Sequence, residues 1–150
     1  MARSSNDACQ RQPAVAPDLT LELQRNVQAP AIARAAVAGR CAGIELGGSL
    51  AHSLALLVSE VVSNAVRHSS GPPDDPIELT TAITDEVIRV TVTDAGEGFT
   101  PRPRDPGRTH DGYGLYLLEK VATRWGVECR GETKVWFELA RSPVSRSPAS

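Results

Sequence analysis

No stretch of the chain stays apolar for the roughly 20 residues that a bilayer-spanning helix requires, and the start, Met1 to Gln12, is polar where a secretory signal would need an apolar segment. No membrane partner is expected, and the sequence reads as cytoplasmic. Neither sign of charge dominates: 16 basic residues stand against 18 acidic ones, for a formal net charge of -2. That balance sets up no global field toward nucleic acid or an anionic surface, so direct nucleic-acid binding is not expected. Cysteine is scarce. Cys9, Cys41 and Cys129 are odd in number and far apart, with no Cys-x-x-Cys pair and no histidine at ligand spacing, which argues against a disulfide framework and a zinc site alike. His52, His68 and His110 form no metal-ligand pattern either, and no internal repeat is visible.

What is present is a chain of 150 residues, 41% hydrophobic and 23% charged, enough for the core of one domain. The first 18 residues, with Pro13 and Pro17, and the last ten, Arg141 to Ser150, are polar and rich in proline or serine, the composition of disordered tails. The folded part is then residues 19–140. Leu19-Thr20-Leu21-Glu22-Leu23 alternates with the period of a half-buried strand. Pro30 suits a first helical turn, and the Ala-rich run to Ala42 predicts a helix ended by Gly43 and the Gly47-Gly48 pair. Ser49 is placed to cap a second helix, with Leu50, Leu54, Leu57, Val58, Val61 and Ala65 at helical spacing, ending near His68.

Two β-branched runs, Ile77 to Thr84 and Val87 to Thr93, flank Asp85-Glu86 and predict a hairpin. The stretch from Asp94 to Gly112 holds Pro101, Pro103, Pro106 and Gly107 and is long for a plain connection, which suggests a lid. Leu115 to Trp125 predicts a third helix, and Gly126–Cys129 with Lys134–Leu139 a closing hairpin. This order predicts an α+β fold, a two-layer sandwich with a mostly antiparallel mixed sheet and about three helices on one face. The other face is left to solvent or a partner.

Three short patterns carry chemistry. Glu60 and Asn64 are four apart on the second helix and share one flank, at the edge of its apolar stripe. A carboxylate and a carboxamide so placed can polarise a nucleophile and offer an oxygen to Mg²⁺, yet such a pair taken alone is more often a solvated helix edge. Asp94-Ala95-Gly96-Glu97-Gly98 follows an apolar strand. It reads either as a turn or as a carboxylate accepting from an exocyclic amine beside glycines that admit a flat ring. Gly112-Tyr113-Gly114-Leu115 opens the third helix, where backbone N–H groups favour phosphate.

In this order the three patterns resemble the N, G1 and G2 boxes of the GHKL ATPases, the superfamily of DNA gyrase and sensor histidine kinases, whose domain is of the Bergerat type. The run Leu56 to His68, and the ending Arg124-Trp125-Gly126-Val127 with Val135 to Leu139, resemble more closely the small anti-sigma-factor serine/threonine kinases. The resemblance spans roughly residues 27–139. It implies ATP and Mg²⁺ as cofactors, Glu60 as general base, Asn64 as Mg²⁺ ligand and Asp94 as the carboxylate that reads adenine. Gly96 and Gly98 would shape the adenine pocket, and Gly112, Tyr113, Gly114 and Leu115 would lie along the phosphates. Thr100 to Asp111 would form the lid, whose Arg102, Arg104 and Arg108 are either solvated or turned to phosphate or a partner. His68, at the helix's last turn, would either touch the nucleotide side of the pocket or, more in keeping with its place, simply suit the dipole at the helix's C-terminal end. A threonine near the adenine is expected shortly before the last strand, and Thr133 stands one residue out of the register that Trp136 suggests. The implied function is an anti-sigma factor that phosphorylates an anti-sigma antagonist, with the sigma factor and that antagonist as protein partners and a homodimer as the form members commonly take. The alternative is an ATP-dependent protein-binding module without phosphoryl transfer.

Overall fold

Alternating apolar residues become strands and the apolar stripes become helices packed over them. The computed structural model describes residues 17–68, 74–95, 113–129 and 131–141. Along these the chain forms β1 (Leu19–Leu23), α1 (Ala29–Arg40), α2 (Gly48–His68), β2 (Ile77–Ile83), β3 (Val87–Asp94), α3 (Tyr113–Val121), β4 (Arg124–Cys129) and β5 (Thr133–Ala140). The strands make one sheet in the order β1-β2-β3-β5-β4, and every pair is antiparallel. The sheet escapes a parallel pair because β5 lies between β3 and β4, which run in the same direction.

The register explains the core. Leu21, Leu79, Val92, Val135 and Val127 are successive cross-strand partners, so one apolar row crosses all five strands. This row belongs to the same core as Leu54, Leu57, Val58, Val61 and Val62 of α2 and Leu118 of α3. Complete burial of a side chain such as Leu57 contributes roughly 1.5–3 kcal/mol. On composition alone Gly48–Arg67 would also pass for a membrane-crossing helix, with a mean hydropathy of 1.3. In the fold its apolar stripe faces the core, and Ser53, Ser59, Glu60 and Ser63 stay half-buried to either side.

Residues of opposite phase make a second, polar layer on the other face of the sheet. Glu138 of β5 accepts from the Arg89 guanidinium on β3, with Nε 2.8 Å from Oε2, and from Arg124 Nη1 on β4 at 3.2 Å. Trp136, fully buried, lies against Gly126, its partner across β4 and β5.

Three details differ from the sequence-based expectation. First, α2 begins at Gly48, so Ser49 lies inside its first turn and does not cap it. Second, α3 stops at Val121 and Trp125 is in β4. Helical spacing from Val121 to Trp125 suggested continuation, but pairing wins: Thr123 N–H donates to Glu138 O at 2.8 Å, and Trp125 enters the core opposite Phe137. Third, Asp18 and Arg141, both assigned to tails, are held by the fold. The Asp18 carboxylate accepts from Thr81 Oγ1 and the Ile83 amide, each at 2.9 Å, and Arg141 N–H donates to Glu86 O at 2.8 Å. The remaining tail residues and the Thr100–Asp111 lid, with Arg102, Arg104 and Arg108, lie outside the described residues.

Candidate functional site

Asp94 closes β3 directly opposite Thr133, the first residue of β5. Both have the phase of Val92 and Val135, so they lie on the face that the helices cover. Glu78, next to the start of β2, pairs with Thr93 and marks the same end of the sheet. At the opposite end α3 leads into β4, where Arg124 pairs with Glu138. Thus β3 ends and β5 and β2 begin at one end of the sheet.

The helix above supplies the rest. Steps of about 100° per residue place Asn64, Glu60 and Arg67 within roughly 60° of arc on one flank of α2. Glu60 is half-buried, while Asn64 is only 9% exposed. Asn64 Oδ1 accepts from Arg67 Nη2 at 3.2 Å. The structure therefore joins Asn64 to the buried layer, not merely to the edge of the stripe as the sequence suggested.

Asn64, Asp94 (7% exposed) and Thr133 (2%) are thus three buried polar side chains on the inner, helix-covered side of the sheet. Each is engaged with other groups of the fold, which offsets the free energy that burying a polar group otherwise costs. Their donor set suits a nucleotide: a carboxylate for an exocyclic amine, a hydroxyl, and a neutral carboxamide oxygen for a hard cation. Among the described residues no cluster of three or more His, Cys, Asp or Glu could hold a metal ion alone. A cation at Asn64 would draw its other ligands from phosphate and water.

Of the other expected site residues, Tyr113, Gly114 and Leu115 form the first turn of α3. Gly96, Gly98 and Gly112 lie outside the described residues, as does the side chain of His68. Thr133, which the sequence left one residue out of register, stands opposite Asp94 in the pairing of β3 with β5. Arg67 went unnoticed in the sequence; its spacing of three from Asn64 was the available signal. A separate cavity of about 250 Å³ between α1 and α2, lined by Val37, Cys41, Leu54 and Val58 among others, contains none of these residues. Burial pushes the Cys41 thiol up, so it stays protonated and unreactive there.

Comparison with known proteins gives this fold a family. Residues 23–138 match the histidine kinase-like ATPase domain family, and the chain belongs to that family. Its fold is similar to that in the crystal structure of the RsbU and RsbW domains of Rv1364c from Mycobacterium tuberculosis, with a TM-score of 0.66 and 22% sequence identity. The match covers 89% of this chain and 35% of that one, so this chain spans about a third of its length. No curated protein matches the sequence.

Proposed function

We propose that this protein is a cytoplasmic, ATP-binding anti-sigma factor that phosphorylates a serine or threonine of its antagonist. The observation that carries the reading is the burial of Asn64, Asp94 and Thr133 on the inner side of the sheet in a domain of the histidine kinase-like ATPase family. Mg-ATP, when bound, supplies the phosphoryl group and a divalent charge that offsets its oxygens. Asp94 accepts the exocyclic amine of adenine, with Gly96 and Gly98 admitting the ring. Asn64 Oδ1 holds the cation. Gly112 and the Tyr113–Leu115 turn of α3 offer backbone N–H groups to the phosphates. Glu60 takes the proton of the incoming hydroxyl, and removing such a base costs about 10²- to 10⁴-fold in rate. A sigma factor and the antagonist are the protein partners, and a homodimer is the proposed assembly.

The pocket is tested by calorimetry: Asn64→Ala and Asp94→Asn weaken Mg-ATP binding, while Glu60→Gln retains it. Equal affinity in all four proteins overturns the site. The activity is tested by incubating radiolabelled Mg-ATP with candidate antagonists encoded in the same genome. Label transferred by wild type and not by Glu60→Gln supports the kinase with Glu60 as base. Binding with no transfer to any antagonist favours the ATP-dependent binding module.

A further inference from the structure

Asn64 Oδ1, the oxygen offered to a cation, already faces one: Arg67 Nη2 donates to it at 3.2 Å. Asn64 is buried whereas Arg67, one turn further along α2, is exposed and free to swing into solvent. A divalent ion on the same oxygen would lie close to the guanidinium, and the two positive charges repel. From this geometry we infer that Arg67 is a placeholder. It occupies the carboxamide oxygen in the nucleotide-free protein, fixes the side chain with Oδ1 outward, and must leave before a metal ion can take its place. Arg67 is in this sense a positioning residue that sets the coupling between metal and nucleotide. Displacing it opposes metal binding until the negative phosphates arrive, so the cation enters with the nucleotide rather than ahead of it. The inference rests on the pocket reading above.

The test measures the affinity of the full chain for a non-hydrolysable ATP analogue by calorimetry, once with Mg²⁺ and once with EDTA. The ratio of the two dissociation constants, EDTA over Mg²⁺, is the coupling. Because an ion pair or charged hydrogen bond at an exposed position is weak, a modest change is expected. Arg67→Met raises the ratio about three- to tenfold, whereas Arg67→Lys, which keeps the charge, stays within about twofold of wild type. In an Asn64→Ala background Arg67→Met leaves the ratio unchanged. An unchanged ratio in Arg67→Met alone overturns the inference. So does an equal loss of affinity with and without metal, the mark of an arginine that holds phosphate or merely supports the helix. A wild-type protein that binds no analogue under either condition removes the pocket reading itself, and the inference with it.

Discussion

At Gly126 the space for a side chain is already taken. A Cβ there would stand 2.8 Å from Trp136 Nε1 and 3.0 Å from Cε2 and Cζ2 of the same ring. The ring is fully buried and cannot give way cheaply. Gly126→Ala should therefore lower unfolding free energy by about 1–3 kcal/mol, the usual cost of overpacking, as read from urea denaturation. Other residues differ in how far the sequence disclosed them. Glu60, Asn64 and Asp94 stood out because polar residues beside apolar patterns are informative. Thr133 was less plain, since its place opposite Asp94 depends on the pairing register of β5 with β3, and a shift of one residue would send it to the other face. Arg67 was hidden for another reason: a charged residue in the last turn of a helix is ordinary, and only the hydrogen bond to Asn64 singles it out.

Elements were legible where a single period governed them. The β2–β3 hairpin was read from β-branched runs, and the structure shows its turn fastened by Thr84 Oγ1, which accepts from Glu86 and Val87 amides at 3.1 Å each. The end of α3 was misread because helical spacing from Val121 to Trp125 carries no information about the strand pairing that overrides it. The start of β1 shows a similar long-range tie. Burial pushes the Asp18 carboxyl up, but the Ile83 amide, the Thr81 hydroxyl and Arg40 together outweigh it and hold the group below its ordinary range. A lowered carboxyl binds its proton less readily in the folded state, so its contribution to stability is complete above about pH 4 and is lost as the pH falls through the lowered value. Asp18→Asn should accordingly melt at lower temperature than wild type at pH 7. The gap should narrow below about pH 4, and a gap that widens on acidification would contradict the assignment.

Across the whole molecule the sheet has two unlike sides. Its apolar side was readable from alternation, and with it the helical layer. The opposite side was left by the sequence to solvent or a partner, and the burial of Arg89 and Glu138 there was not read from it. In the structure they are 6% and 3% exposed, in the middle of the sheet, with Arg124 joining them. Removing Glu138 would leave Arg89 buried without this partner, and Glu138→Ala should cost about 3–5 kcal/mol in a denaturant titration.

The same sheet also separates the two ends of the molecule. Arg141 is fastened beside the β2–β3 turn, at Glu86, whereas Asp94 closes the far end of β3, eight residues along. At about 3.3 Å per residue that is about 25 Å. The sheet thus has a tethered end and, a strand's length away, the end where Asp94 and Thr133 meet. A label, a surface tether or a fused domain attached beyond Arg141 joins the fold a full strand's length from Asp94.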